Sequence, residues 1–147
     1  MHSISLKNQN LITSFEYVSI DSIFPHEKVI INRKNALKKY ILSCDEYSIL
    51  PSIICCNKSK MIIDGHHRFN TLKELGYKMI PVTFIDYMDN SIRTHNEKGK
   101  QLSKNILIER AIKNNLFEPK STIHEIITIN KIWKPLVLLS TLSQINL

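Results

Sequence analysis

Residues 61–87 read MIIDGHHRFNTLKELGYKMIPVTFIDY, and the fold turns on this stretch. Met61–Asp64 is a short, apolar, β-branched run and predicts a strand. Phe69, Leu72 and Leu75 then recur at helical spacing, and Gly76 follows where a helix ends in a left-handed residue. Pro81–Ile85 predicts the next strand, followed by Asp86-Tyr87. Between the first strand and the helix stands Asp64-Gly65-His66-His67-Arg68. The chain has only three glycines in 147 residues, so each is placed where the backbone needs it.

The chemistry of that turn follows from its geometry. A strand ending at Asp64 and a glycine turn deliver the chain into a helix whose first N–H groups have no intrahelical partner. Those groups and the positive end of the helix dipole make an anion site. Two histidines and an arginine add side-chain donors, and arginine suits a phosphate fork. Asp64 beside them is placed to hold a hydrated Mg²⁺ that bridges phosphates. Taken singly, each residue is more often structural. Together, in five consecutive positions, they point to a nucleotide phosphate. Zinc is a poor fit, because adjacent histidines rarely face one metal and no cysteine partner stands at ligand spacing.

Working outward, Ser52–Cys56 is a second apolar run, separated from Met61–Asp64 by Asn57-Lys58-Ser59-Lys60, which predicts a hairpin. Farther upstream, Leu37, Tyr40, Ile41 and Cys44 mark an amphipathic helix over Ala36–Cys44, and Phe15–Ile20 alternates as a strand. Downstream, residues 88–101 read as a polar loop and Leu102–Asn115 as a helix. Residues 116–124 interrupt it, and Glu125–Leu147 reads as largely helical, broken near Lys134-Pro135. The mixture predicts an α+β fold.

Composition narrows the classes. The formal charge is +7, and lysine (16), isoleucine (24) and asparagine (13) dominate in the manner of an AT-rich coding bias. Five cations (Lys28, Arg33, Lys34, Lys38, Lys39) fall between Glu27 and Asp45 with no acid among them, which reads as a solvated face. A nucleic-acid partner is therefore the secondary expectation rather than the first. Cys44, Cys55 and Cys56 form no disulfide framework, so a reducing, cytoplasmic setting is expected. Neither a secretory leader nor a membrane span is expected, since the apolar tail 136–147 is too short to cross a bilayer.

The turn also carries a resemblance. The sequence resembles the free-serine kinase branch of the ParB/sulfiredoxin-like superfamily, whose aspartate-glycine-histidine-histidine-arginine turn is matched by Asp64 to Arg68. A proline-histidine-glutamate loop is matched by Pro25-His26-Glu27. A third stretch, phenylalanine-proline-proline-lysine-threonine-threonine-arginine-histidine in the family, is met by Phe117, Glu118, Pro119, Lys120, Ser121, Thr122, Ile123 and His124. Glu118, Ser121 and Ile123 depart from that pattern, as does Lys28, where a second glutamate is common. The family's tryptophan near the substrate has no aligned counterpart, since Trp133 lies beyond the third motif.

The resemblance implies a ParB/sulfiredoxin-like domain over residues 1–147, with a small mixed sheet flanked by helices. Residues 1–14 are a lead-in and residues 125–147 a C-terminal helical tail. It implies a kinase that moves a phosphoryl group from ATP or ADP to the hydroxyl of free L-serine, with Mg²⁺ as cofactor. Glu27 and Asp64 are then catalytic, with Asp64 on the metal. Gly65, His66, His67 and Arg68 bind phosphate, while Lys120, Ser121, Thr122 and His124 hold the substrate. The competing implications are a ParB-like nucleotide- and DNA-binding protein and an inactive nucleotide-binding relative. A sulfiredoxin is disfavoured, because that chemistry needs a cysteine inside the turn.

Overall fold

All four side chains of the run Ile53–Cys56 are buried, and that double burial sets the layers of the molecule. The structure is a computed structural model that describes residues 6–146. In chain order its elements are β1 (Ile12–Ser19), α1 (Ile31–Leu42), β2 (Tyr47–Pro51), β3 (Ile53–Cys56), β4 (Ile62–Asp64), α2 (His66–Glu74), β5 (Met79–Ile85), β6 (Ile92–His95), α3 (Lys104–Ile112), β7 (Ile123–Ile127), β8 (Trp133–Pro135) and β9 (Leu142–Asn146). Strands β1, β5, β3 and β4 form one sheet in that order. β3 runs parallel to β5, while β1 and β4 pair antiparallel at the two edges.

Alternation along β3 and β5 sends side chains into two cores. Ile53, Cys55, Val82 and Phe84 pack against Phe69 and Leu72 of α2 and Ile41 of α1. Ile54, Cys56 and Ile85 face the other way, onto Leu107 and Ala111 of α3 and onto Ile92 and Ile126. A strand sandwiched between two layers has no solvent face, so its sequence is a continuous apolar run rather than an alternation. Each large side chain so enclosed contributes about 1.5–3 kcal/mol of hydrophobic stabilisation.

The local signals of the central stretch are met. β3 and β4 form the expected hairpin, α2 starts one residue after Gly65, and Gly76 closes it at φ +86°. There the N–H of Tyr77 donates to the Leu72 carbonyl at 3.0 Å and that of Gly76 to Lys73 at 3.1 Å, a Schellman-type ending.

The segments after residue 87 differ from expectation. Within the expected loop, Ile92–His95 is β6, and it pairs with β7. The C-terminal helical tail is not observed: β7, β8, a 3-10 turn over Leu136–Leu139 and β9 occupy it. Ile123, Ile126, Ile127 and Thr128 are β-branched and favour a pleated strand. β9 pairs antiparallel with β2, some ninety residues earlier in the chain, a partner no local pattern reveals. β1 begins at Ile12, inside the expected lead-in, and α1 begins five residues before Ala36.

Candidate functional site

Gly65 sits at φ +106°, a backbone that residues with a Cβ rarely adopt, and turns the chain from β4 straight into α2. No side chain caps the start of α2. The N–H groups of its first turn are thus left for a ligand, at the positive end of the dipole. Arg68 lies back across the turn. Its Nη2 donates to Asp64 Oδ2 at 3.2 Å and to the Ser52 carbonyl at 3.1 Å, while its buried Nε has no partner among the described residues. A Cβ on Gly65 would stand 3.0 Å from that Nη2, so a side chain there would also push on the Arg68 guanidinium.

The loop bearing Glu27 is threaded between two backbones. The N–H of Phe24 donates to Lys60 at 3.0 Å, and that of Ile62 to Phe24 at 2.7 Å. On the other side, the N–H of Phe117 donates to the His26 carbonyl at 2.7 Å and that of Lys28 to Phe117 at 2.9 Å. Glu27 Oε1 in turn accepts the N–H of Ser121 at 2.9 Å and, more distantly, that of Thr122 at 3.5 Å. Burial pushes the Glu27 carboxyl up to about 7, outweighing the N–H donors and the Lys120 charge that act to lower it. It is a carboxylate poised to exchange a proton near neutrality. A stray surface acid would have neither the enclosure nor the bonds.

Three histidines meet behind this loop. The rings of His66 and His124 lie edge-on to His26, at 4.6 and 5.5 Å between centroids. His26 Nδ1 donates to the Ile62 carbonyl at 2.7 Å, and its Nε2 accepts the Thr122 hydroxyl at 3.0 Å. Burial lowers His26 to about 4 and holds His66 and His124 well below the ordinary histidine range, so all three are neutral. His66 Nε2 is 3.1 Å from the N–H of His26 and 3.3 Å from that of Glu27. His67 Nε2 accepts the N–H of Ile30 at 3.0 Å. Tyr87 O–H bridges His124 Nε2 at 3.0 Å and the Thr94 hydroxyl at 2.9 Å.

Glu27, Asp64, Gly65, His66, His67, Arg68, Lys120, Thr122 and His124 line one cavity of about 480 Å³. Every sequence-expected site residue is there except Ser121, which meets it through its N–H to Glu27. The segment after Thr122 is a strand, not the start of the helical tail expected from residue 125. Sequence reasoning gave no role to His26 or to Arg33. Arg33 lines the same cavity from the first turn of α1, as does Ile123, where the family pattern has an arginine. The acid-free run around it was the available signal. Lys28 and Glu118, two other departures from that pattern, pair with each other at 2.9 Å. A larger concavity of about 720 Å³ lies over β6, with Arg93 stacked on Trp133, but it has no comparable carboxylate facing an open helix start.

The side chains alone form no metal cage. No group of three or more metal-ligating side chains converges among the described residues. Asp64 supplies a carboxylate on the cavity wall, partly engaged by Arg68, and Mg²⁺ is commonly held by one or two carboxylates together with substrate phosphates.

No family model matches the chain. An ATP-dependent L-serine kinase of Staphylothermus marinus is 33% identical over 78 residues, which cover 52% of this chain and 31% of that protein. A ParB-like protein of Sulfolobus acidocaldarius is 39% identical over 77 residues, covering 52% and 37%. An ADP-dependent L-serine kinase of Thermococcus kodakarensis is 23% identical over 83 residues, covering 55% and 34%. This chain therefore spans about a third of the length of the curated relatives it matches. Among solved structures, a glutamate-to-glutamine mutant of free serine kinase in complex with AMP superposes with a TM-score of 0.67 at 12% identity, covering 84% of this chain and 90% of that one. The chain shares the fold of free serine kinase, and half of its sequence is similar to L-serine kinases and to a ParB-like protein.

Proposed function

We propose that this chain is a small-molecule kinase that transfers the terminal phosphoryl group of ATP or ADP to the hydroxyl of free L-serine, giving O-phosphoserine. One observation carries the reading: Glu27, enclosed and raised to about 7, lines the same cavity as the uncapped N-terminus of α2. That is a base beside a phosphate cradle. The similarity to proteins named ATP- and ADP-dependent L-serine kinases supplies the substrates.

Glu27 takes the serine hydroxyl proton as Oγ attacks the terminal phosphorus, and the bond from that phosphorus to the nucleotide oxygen breaks. The first-turn N–H groups of α2, with Gly65 permitting close approach, and the side chains of His67 and Arg68 hold phosphate oxygens. Lys120 and Arg33 add positive charge at the cavity wall, and Thr122 and His124 border the amino acid. When bound, Mg²⁺ would be held by Asp64 and would neutralise charge on the phosphates. Little further chemistry is needed, because phosphoryl transfer rests on positioning and electrostatics.

The test is incubation with L-serine, Mg²⁺ and either nucleotide, followed by mass spectrometry for phosphoserine. Product with one nucleotide or both supports the kinase. The similarity to a ParB-like protein favours a second reading, a nucleotide-binding protein without turnover. It predicts nucleotide binding and no product. Duplex binding that falls steeply with salt would extend it to DNA.

A further inference from the structure

The backbone N–H groups of His26 and Glu27 are consecutive donors, and both reach the same acceptor. His66 Nε2 lies 3.1 Å from the first and 3.3 Å from the second. A neutral imidazole that accepts at Nε2 carries its proton on Nδ1, so Nε2 has no hydrogen to offer a phosphate. The residue is 5% exposed and its ring lies edge-on against His26. One residue on, His67 Nε2 takes the N–H of Ile30, so adjacent residues in the first turn of α2 grip both ends of the segment 26–30. Glu27 lies inside that segment, and its carboxylate is fixed at the far side, by Ser121 and Thr122.

We propose that His66 is a positioning residue whose Nε2 is given to the loop rather than to phosphate: it is an acceptor that joins the base-bearing loop to the phosphate turn, so that Glu27 and the bound phosphates share one rigid frame. The proposal rests on the kinase reading above for its catalytic consequence, but not for its geometry. Removing the acceptor orphans two enclosed N–H donors and lets the loop shift, while the phosphate-binding N–H groups of α2 stay in place. A displacement of about 1 Å at a reacting group costs about a hundredfold in rate.

Two arms test it, one of them independent of turnover. On the folded protein labelled with ¹⁵N, the His66 ring should show the Nδ1–H tautomer with a through-hydrogen-bond coupling from the amide of His26. That signature should persist when AMP is added. A bare Nδ1, or a His66 Nε2 resonance that responds to AMP as a direct ligand does, overturns the proposal. In the kinetic arm, His66→Phe keeps a ring and loses the acceptor. Its kcat should fall about a hundredfold with the nucleotide Kd held within about threefold, and His66→Gln, which restores an acceptor, should recover about tenfold of that loss. A nucleotide Kd weakened in step with turnover, or an undiminished kcat in His66→Phe, contradicts it. If wild-type protein forms no phosphoserine, or His66→Phe does not fold, the tautomer and coupling still decide the matter.

Discussion

At the scale of single residues, Glu27 combines two demands that oppose each other. Enclosure raises its carboxyl to about 7, where a general base works best near neutral pH, and the same enclosure penalises the charged form in the folded state. Turnover should therefore fall as pH drops through about 7, because the protonated carboxyl cannot accept the serine proton; a pH–rate profile reads this directly. The stability consequence has a definite sign. A carboxyl whose folded pKa lies above its unfolded value of 4.5 contributes a cost that is absent below pH 4.5, grows up to about 7 and stays constant above. Glu27→Gln removes that cost while keeping an oxygen for the Ser121 N–H. It should melt above wild type at pH 8 and level with it below pH 4.5, while its kcat falls by about 10²–10⁴. Gly65 makes a separate demand. Gly65→Ala forces a Cβ to 3.0 Å from Arg68 Nη2 at φ +106° and should cost about 1–3 kcal/mol by chemical denaturation, with weakened nucleotide binding.

At the scale of elements, the site stands where β4, α2 and the start of β7 approach one another, and each was legible to a different degree. The hairpin and α2 could be read because their signals are local: an apolar run, a four-residue turn, a glycine at each end of one helix. β7 was misread because IHEIITI satisfies helical spacing as readily as alternation, and what settles it is pairing with Ile92–His95 and Trp133–Pro135. The same non-locality hid the third motif's role. Lys120 to Thr122 lead into a strand, not a helix, and the N–H groups of Ser121 and Thr122 go to Glu27. Ile126 anchors β7 to the core shared with α3 and is fully buried. Ile126→Ala should destabilise the protein by about 2–5 kcal/mol in urea unfolding. It should lower turnover more than nucleotide binding, since β7 follows directly on Ser121 and Thr122, the Glu27 partners, and not on the α2 turn.

At the scale of the molecule, the motifs at 25–27, 64–68 and 117–124 are far apart in sequence and close around one cavity of about 480 Å³. Their convergence was expected from the resemblance. Their division of labour was not, because hydrogen-bond partners of backbone donors leave no trace in a sequence. His26 and His66 hold the loop, His67 serves the loop through one nitrogen, and Glu27 is left half-enclosed at the cavity wall. No helix among the described residues is long and apolar enough to cross a membrane. Some lysines are paired, as Lys34 and Lys38 are with Glu74, while Arg33 and Lys120 are cations on the cavity wall without a carboxylate partner among the described residues. A nucleotide that uses this wall should raise the unfolding free energy by about 2.7 kcal/mol at a hundred times its Kd, seen as a rise in Tm. The central claim is that a nucleotide phosphate and a base at Glu27 act together on serine, and ³¹P NMR of wild type and Glu27→Gln with L-serine, Mg²⁺ and ATP or ADP tests it most directly. The account predicts a growing phosphoserine signal for wild type and almost none for Glu27→Gln, with nucleotide binding retained in both. A wild type that binds nucleotide and forms no phosphoserine with either donor, or a Glu27→Gln that forms it at the wild-type rate, would contradict it.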